Sequence, residues 1–391
     1  MSKWQEYKLG DIADITSSKR IFYSDYKESG IPFWRSKEVI EQFNKKSIST
    51  DLFISNQKYN EIKGKFGVPK KDDILLTSVG TLGIPYLVKN NDCFYFKDGN
   101  LTWIRNIDLS ILSPKYLYMW LSSQLGREAL REITIGSTQE ALTIVGIKSL
   151  TLLIPPLLEQ RAIAAVLTSL DSKIDLLHRQ NKTLEAMAEI LFRQWFIEEA
   201  EVGWEEVPLS HFADNIRENV KVKDLSNYEY YVGLEHIPRK RIILDSWSDT
   251  GSIESNKSIF KKYDILFGKL RSYFHKVVCT PIEGVCSTDI LVIRPKKAQW
   301  LPFCLFWFFN KDVVDHSDLG SGGTRMPRTS WEIISSYKIP CPPAELVIEY
   351  DKIVRPSLNK MFLNIDAIYT LGKLRNALLP QLMSGEVRVD V

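Results

Sequence analysis

The sequence repeats itself once, and this repeat limits the possible fold more than any other feature. Residues 4–15 are echoed by residues 204–214, and both stretches open with Trp and share a Leu and an Ala-Asp pair at the same spacing from it. Residues 73–78 are echoed by residues 264–269, in each case a short apolar strand that leads into a turn. A spacing of about 190 to 200 residues indicates a repeat of whole domains rather than of small solenoid units. A chain of 391 residues is long enough for two such domains and their connectors.

Each copy of the repeat also closes in the same way. A loop rich in Gly, Ser or Thr, at residues 136–139 and again at 320–325, precedes an apolar strand that ends in two prolines. After Pro155-Pro156 and after Pro342-Pro343, the apolar spacing changes from strand-like to helix-like. We predict two α+β domains with mixed sheets and short helices, one of them at residues 114–131. The predicted segments are a domain at 1–156, a helix at 157–200, a domain at 201–343 and a helix at 344–391.

The first long helix carries a heptad pattern. Spacings of four and three alternate along Ile163, Leu167, Leu170, Ile174, Leu177, Asn181, Leu184, Ala188, Leu191 and Trp195. A stripe sustained over more than four heptads favours pairing with another helix over a lone amphipathic helix. The polar Asn181 lies in the middle of the stripe, where a buried Asn typically fixes the register of the pair.

The second long helix offers the expected partner stripe. Its apolar positions, less strictly periodic, are Leu358, Met361, Ile365, Ile368, Leu371, Leu374, Leu378 and Leu382. Pro356 interrupts the segment and is expected to start or kink the helix. At ~1.5 Å per residue, the stripe from Ile163 to Trp195 spans about 50 Å, longer than one ~34 Å turn of DNA.

Composition excludes several classes of protein. Hydrophobic residues make up 44% of the chain, which suits well-buried cores, and neither a signal-peptide pattern nor an apolar run of bilayer length is found. We expect a soluble, cytoplasmic protein without a membrane partner. The five cysteines show no Cys-x-x-Cys spacing and the five histidines no ligand spacing, so we expect reduced thiols and no metal site. The net charge of +3 is weak evidence for a polyanionic partner.

Two stretches of this sequence resemble the specificity subunits of type I restriction-modification enzymes. They are residues 154–174, which include Glu159-Gln160-Arg161, and residues 374–386 at the end of the second helix. The resemblance covers essentially the whole chain and is strongest in these two stretches. It departs from the family pattern after Pro343, where Ala344-Glu345-Leu346 lacks the Glu-Gln pair, so the second helix is expected to start differently.

The resemblance implies an architecture and a set of partners. Two target-recognition domains each read one half of a split sequence in double-stranded DNA, and the two helices pack as an antiparallel coiled coil that sets the distance between them. The helices bind two modification subunits, which carry the adenine methyltransferase, while separate restriction subunits carry the nuclease and translocase. S-adenosylmethionine, ATP and Mg²⁺ are then expected on the partners and no cofactor on this chain.

Motifs for catalysis are missing from the sequence. Adenine methylation needs an Asn/Asp-Pro-Pro-aromatic motif, but the Pro pairs here follow Ile154 and Cys341. A nucleotide-driven motor needs a Gly-x-x-x-x-Gly-Lys-Ser/Thr loop, and the sequence contains none. We therefore expect a non-catalytic protein.

Polar and basic loops supply the candidate DNA contacts. Lys and Arg hold phosphates, whereas Arg, Asn, Gln, Ser and Thr can read base edges. The candidates in the first half are Lys19, Arg20, Arg35, Lys37, Thr77, Ser78, Thr81, Ser137, Thr138 and Gln139. Those in the second half are Arg217, Lys221, Lys269, Arg271, Tyr273, Thr324, Arg325 and Arg328. Taken singly, each is also explained as a solvated surface residue.

The favoured hypothesis is a sequence-specific DNA-binding subunit that recognises a bipartite target and directs methylation and restriction by its partners. A coiled-coil adaptor that assembles other proteins without reading DNA is the alternative. A self-sufficient restriction enzyme is a second rival, against which the missing motifs argue.

Overall fold

A computed structural model gives the structure of the chain for residues 3–136, 140–201, 203–251, 253–319 and 327–390. The chain divides into two compact units. The first unit comprises Met1–Ser172 and Leu371–Val391, and the second comprises Lys173–Thr370. Each unit contains one α+β domain and part of each long helix, so the compact division runs through both helices. The four segment bounds drawn from the sequence pattern stay a prediction.

Two small sheets and one ribbon build the domain of the first unit. Strands β2, β9, β6 and β7 form an antiparallel sheet in that order, and β3, β5, β4 and β8 form a mixed sheet in which β4 and β8 are parallel. The first and last strands, β1 and β10, pair with each other. The strands are β1 (Gln5–Lys8), β2 (Asp14–Thr16), β3 (Tyr26–Lys27), β4 (Ile31–Trp34), β5 (Phe53–Ile54), β6 (Ile74–Thr77), β7 (Pro85–Leu87), β8 (Tyr95–Phe96), β9 (Leu101–Arg105) and β10 (Thr151–Ile154).

Short helices cover the sheets of the first unit, and one long helix leaves it. They are α1 (Leu9–Ile12), α2 (Ser36–Phe43), α3 (Asn56–Lys65), α4 (Pro114–Ser122), α5 (Gln124–Glu132), α6 (Ile144–Ser149) and the long α7 (Leu157–Arg193). The single helix predicted at 114–131 is wrong in one respect, because it is broken at Ser123. The Ser123 hydroxyl accepts a hydrogen bond from the Gly126 N–H at 3.2 Å and so starts a new helix.

The antiparallel sheet and the two-stranded ribbon of the second unit repeat those of the first, whereas its mixed sheet has five strands in a different order. Its antiparallel sheet has the order β12-β20-β17-β18, its mixed sheet has the order β13-β16-β19-β14-β15 with β14 and β19 parallel, and β11 pairs with β21. The strands are β11 (Glu206–Pro208), β12 (Ala213–Ile216), β13 (Asn219–Val220), β14 (Tyr230–Val232), β15 (Ser248–Asp249), β16 (Lys257–Phe260), β17 (Ile265–Gly268), β18 (Val277–Cys279), β19 (Gly284–Cys286), β20 (Ile290–Pro295) and β21 (Lys338–Pro340). The helices are α8 (Leu301–Phe309), α9 (Lys311–Leu319), α10 (Trp331–Ser335) and the long α11 (Ala344–Ser384). Every residue of α8 is buried, as its unbroken apolar sequence requires.

The duplication predicted from the sequence is confirmed in the backbone of the two domains. The Asp73 carboxylate accepts a hydrogen bond from the Lys70 N–H at 2.8 Å just before β6. The Asp264 carboxylate accepts one from the Lys261 N–H at 2.7 Å just before β17. Both carboxylates are buried. The same turn therefore begins the equivalent strand in each copy.

The two long helices differ at their ends from the predicted segments. Helix α7 stops at Arg193 and continues as a single π-helical turn, Gln194–Glu198. Helix α11 begins at Ala344, and Pro356 lies inside it, so the expectation that Pro356 starts the helix is wrong. Proline removes one backbone hydrogen bond, but the buried neighbours Val354 and Leu358 hold the helix in place on both sides. None of the described helices is long and apolar enough to cross a membrane.

The long helices pack against each other as an antiparallel pair within the second unit. The Tyr350 hydroxyl donates to the Ala188 backbone carbonyl at 3.0 Å, and the Asn364 side-chain amide donates to Asn181 Oδ1 at 2.7 Å. The residue number rises along one helix as it falls along the other. Within the first unit, Arg375 contacts Asp171 at 2.8 Å in the same sense. The predicted coiled coil is therefore confirmed.

Burial along the pair follows the heptad prediction closely. The buried predicted positions are Ile163, Leu167, Ile174, Leu177, Asn181, Ala188, Leu358, Met361, Ile365 and Leu382. The half-buried ones are Leu170, Leu184, Leu191, Trp195, Ile368, Leu371 and Leu378. Leu374 departs from the stripe because it is exposed. In the second unit the stripe is continuous with the domain core, since Leu358 and Met361 pack with the residues of α8.

Candidate nucleic-acid interface

In the first unit, the candidate loops meet at one edge of the antiparallel sheet. Thr16 at the end of β2 faces Trp103 in β9, and Thr77 at the end of β6 faces Leu101 at the start of β9. Antiparallel pairing thus brings the loops after β2 and β6 to the same place as the turn before β9. We call this place, made by the end of β2, the start of β9 and the end of β6, the first edge.

A turn that the sequence analysis did not select, residues 97–100, links the candidate loops of the first edge. The Asp98 carboxylate accepts a hydrogen bond from Arg20 Nε at 2.7 Å. The Asn100 carbonyl accepts one from the Ser78 N–H at 2.8 Å. The run Asp98-Gly99-Asn100 is a strong turn signal. That signal could have marked the segment, although only the fold brings it beside Arg20.

Two candidates of the first edge are placed differently from the prediction of an exposed loop. Thr77 is 0% exposed and Ser78 is 3% exposed. The Thr77 hydroxyl accepts a hydrogen bond from the Ile84 N–H at 2.9 Å, and the Ser78 hydroxyl lies 2.6 Å from that of Thr102. The placement of these two side chains on the loop surface is wrong, because Thr77 ends β6 and Ser78 follows it, and both are buried inside the domain. Thr81, farther along the loop, is exposed as expected.

The other basic candidates of the first unit differ in how strongly they are held. Arg35 is paired with Glu38 at 3.0 Å and with Asp51 at 2.5 Å, and its guanidinium lowers the pKa of Asp51 by hydrogen bonding. Lys37 donates to the Ser49 carbonyl at 2.8 Å. Arg20 and Lys19 are largely exposed, with the ammonium of Lys19 5.2 Å from the ring centre of Phe66. Arg20 is paired with Asp98, but its side chain is 68% exposed, so Lys19 and Arg20 can both reach a phosphate.

The second unit has an equivalent edge. Ile216 at the end of β12 faces Val292 in β20, and Gly268 at the end of β17 faces Ile290 at the start of β20. We call this place, made by the end of β12, the start of β20 and the end of β17, the second edge. A cleft of about 350 Å³ opens there, lined by Arg217, Lys269 and other polar side chains.

The two edges share one backbone framework but carry different side chains. The Lys269 N–H donates to the Asp289 carbonyl at 2.8 Å, as the Ser78 N–H does to the Asn100 carbonyl. The Lys269 carbonyl accepts a hydrogen bond from the Thr329 N–H at 3.1 Å. In the same way, the Ser78 carbonyl accepts one from the Leu142 N–H at 3.0 Å. One backbone position thus carries a buried hydroxyl in the first edge and a half-buried lysine in the second. The same scaffold can therefore present unlike chemistry to its ligand.

A strained turn carries the candidates Arg271 and Tyr273 at the second edge. Arg271 and His275 have φ angles of +53°, in the left-handed region, on either side of the single turn Ser272–Phe274. Such a conformation costs a non-Gly residue on the order of 1 kcal/mol and is found most often at functional sites. The Arg271 N–H donates to the Pro327 carbonyl at 3.0 Å, which helps to hold the turn. Desolvation lowers the pKa of His275, whose ring packs against Phe309.

Ion pairs surround the remaining candidates of the second edge. Arg328 Nε lies 3.0 Å from Asp289 Oδ1, and Arg217 lies 2.9 Å from Glu332. All four side chains reach solvent, so these pairs contribute little to stability and can be exchanged for a phosphate or a base. Lys221 is exposed beside the mixed sheet. The candidates Ser137, Thr138, Gln139, Thr324 and Arg325 lie outside the described residues.

The titratable groups give no metal site in the part of the chain that the structure describes, where no group of His, Cys, Asp and Glu could hold an ion. All five cysteines are free thiols. Burial raises the pKa of Cys279 to about 12, which keeps that thiol protonated. The chemistry of both edges is therefore that of hydrogen bonds and cationic side chains.

Comparisons with known proteins agree with this geometry. The sequence profile of the type I restriction modification DNA specificity domain matches residues 1–186 and 201–348. The chain is 27% identical over 420 residues to the type I restriction enzyme MjaIX specificity subunit of Methanocaldococcus jannaschii, covering 99% of this chain and 94% of that protein. It is 24% identical over 469 residues to the HindI specificity subunit of Haemophilus influenzae, covering 99% and 100%.

A shorter sequence match and a match to a solved structure point in the same direction. A putative type I specificity subunit from Haemophilus influenzae is 34% identical over 166 residues, which are 42% of this chain and 40% of that protein. The crystal structure of a type I restriction-modification S subunit from M. genitalium has the same fold, with a TM-score of 0.63 at 17% identity over 99% of this chain and 96% of that one. Because the family profile covers both copies of the repeat, the chain belongs to the type I restriction modification DNA specificity family.

Proposed function

We propose that this chain reads a bipartite DNA sequence, with one half-site contacted by the first edge and the other by the second. The observation that carries the proposal is the shared framework of the two edges, on which Ser78 and Lys269 occupy equivalent positions. A duplicated scaffold with different side chains suits a target made of two unlike halves. Phosphate contacts from Lys and Arg supply affinity, and base contacts from the same edges supply specificity.

The chain does no chemistry of its own in this proposal. Modification subunits, two for each copy of this chain, dock on the coiled coil and methylate adenine with S-adenosylmethionine. Restriction subunits cleave and translocate DNA with ATP and Mg²⁺. The relatives support this division of labour, because they are named specificity subunits of type I restriction enzymes. The complex works in the cytoplasm, where its DNA target lies.

A binding experiment with half-site replacement tests the proposal. The assembled complex is titrated with duplexes that carry the intact target, a scrambled first half or a scrambled second half. Each scrambled half is expected to weaken binding by at least 10-fold, since one mismatched base pair costs ~1–3 kcal/mol. Equal affinity for all three duplexes would instead support the adaptor alternative, in which the helices assemble partners and the domains do not read DNA.

A further inference from the structure

Both edges expose aromatic side chains to solvent. At the first edge, Phe22 is 63% exposed and Tyr23 is 90% exposed, just after Arg20. At the second edge, Tyr273 is 52% exposed, two residues after Arg271. A single exposed ring is common on a protein surface, but a ring next to cationic side chains can serve as a stacking partner for a base. The two copies of the repeat have different sequences here, yet both place an aromatic ring beside an arginine.

Each aromatic residue is held on a short turn rather than on a loose loop. At the first edge, the Phe22 N–H donates to the Asp25 carboxylate at 3.2 Å, and Asp25 is paired with Lys58 at 3.5 Å. At the second edge, the left-handed residues Arg271 and His275 enclose the turn that carries Tyr273. Holding these rings in place reduces the entropy lost when they contact a ligand.

The surroundings of Tyr273 form a short stack of rings and cations. Its ring lies edge-on to Phe274, with 4.7 Å between the ring centres. The guanidinium of Arg239 covers Phe274 at 3.8 Å. Lys269 precedes this turn and Arg271 begins it. A ring on a turn that also carries cationic side chains can stack on a base while the cations contact phosphates.

We propose that Tyr23, with Phe22, and Tyr273 stack on DNA bases that the protein unstacks, so that recognition of each half-site includes a local distortion of the duplex. The inference rests on the proposed function and adds a mode of contact to it. Apolar and aromatic side chains inserted between base steps kink DNA and make its deformability part of the specificity. Sequence preference then arises at base steps that no hydrogen bond touches.

The test uses the full chain assembled with its modification subunits and duplexes that carry 2-aminopurine. The probe is placed at successive positions of each half-site, away from the adenines that are methylated. The unaltered chain is expected to change the fluorescence at one position in each half-site. Tyr23→Ala should abolish only the change in the first half-site, and Tyr273→Ala only the change in the second. Tyr273→Phe keeps the ring and should keep the signal.

Affinity and a matched control complete the test. Each alanine variant is expected to bind the full target about 5- to 100-fold more weakly, the loss seen when one stacked base contact is removed. Leu109→Ala is the control, because Leu109 is 58% exposed but follows the opposite end of β9, and it should change neither readout.

Three results would overturn the inference. In the first, target binding is specific but no probe position responds. In the second, the alanine variants keep both the signal and the affinity. In the third, they lose modification subunits while the remaining complex still distorts DNA, which would assign the rings to a protein contact. Loss of all sequence specificity in the unaltered complex would instead contradict the proposed function itself.

Discussion

At the residue scale, the most consequential contact of the first unit joins two residues that are far apart in sequence. Glu159 is 3% exposed, and both of its carboxylate oxygens are bonded by Arg388, at 2.5 and 2.7 Å. Glu159 opens α7, whereas Arg388 lies in the C-terminal tail beyond α11. The pair therefore ties the end of the chain to the start of the long helix.

Arg388→Ala should destabilise the first unit because it leaves a buried carboxylate without its partner. The expected result is a clear loss in the free energy of unfolding, measured by urea denaturation. Arg193→Ala removes an exposed ion pair with Glu198 and serves as the control, with an expected loss below about 1 kcal/mol. Equal losses for the two variants would show that Glu159 finds another partner.

Asp245 gives the second unit a dependence on pH. Desolvation raises the pKa of this carboxyl, against the attraction of Arg241 and His178. A folded pKa above the unfolded value means that the folded state holds the proton longer, so stability falls as pH rises from about 4 through the raised pKa.

Asp245→Asn should therefore raise the free energy of unfolding at pH 7, with a gain that shrinks toward pH 4. Urea denaturation at a series of pH values measures it, and Glu254→Gln, at an exposed carboxylate, should leave the profile unchanged. A variant that is less stable than the parent at pH 7 would mean that the ionised Asp245 is needed by Arg241.

The sequence located the polar and basic runs between the apolar strands, but it did not show which of their side chains are exposed. Thr77, Ser78 and Thr81 lie in one polar run, and only Thr81 is exposed. The difference depends on Thr102 and Ile84, which approach from other parts of the fold. Local sequence does not contain that information, because burial is decided by tertiary packing.

At the scale of elements, the coiled coil was the most predictable part of the molecule. Its heptad spacing is a local property, and the buried positions follow it from Ile163 to Asn181. The partner of Asn181 could not be predicted, since Asn364 lies 183 residues away. Nor could the continuation of α11 through Pro356, which depends on buried neighbours that support the helix.

The Asn181–Asn364 contact should show strong coupling in a double-mutant cycle. Asn364→Leu alone leaves the Asn181 amide buried without its partner and should cost about 1–3 kcal/mol. The double variant Asn181→Leu/Asn364→Leu should recover most of that loss, because two apolar residues can pack at this site. Losses that simply add would mean that the two amides act independently. Urea denaturation supplies the four free energies, with Lys182→Ala, at an exposed position of α7, as the control.

At the scale of the whole molecule, duplication is what connects fold and function. The repeat was evident from the sequence at residues 4–15 and 204–214, and both antiparallel sheets have the same strand order. The position of the turn at residues 97–100, next to the candidate loops, follows only from the pairing of β9 with β2 and β6. Strand pairing joins distant segments, and the sequence pattern alone does not specify which ones.

The salt dependence of binding should report the basic residues of each edge separately. Removing one phosphate contact is expected to lower the slope of log affinity against log salt by about 1. Arg20→Ala should do so through the first edge and Arg271→Ala through the second, whereas Lys63→Ala, on α3, should leave the slope unchanged. Titrations of the assembled complex at several salt concentrations measure these slopes. Parallel lines for all variants would exclude phosphate contacts from both edges.

The most direct test of independent reading by the two edges is a genome-wide map of methylated adenines. Cells that express the complex with Lys269→Ala and Arg271→Ala in this chain are compared with cells that express the unaltered complex. We expect the methylated motif to keep one half unchanged and to become relaxed in the other half. A motif that changes in both halves, or in neither, would contradict the claim that each edge reads its own half-site.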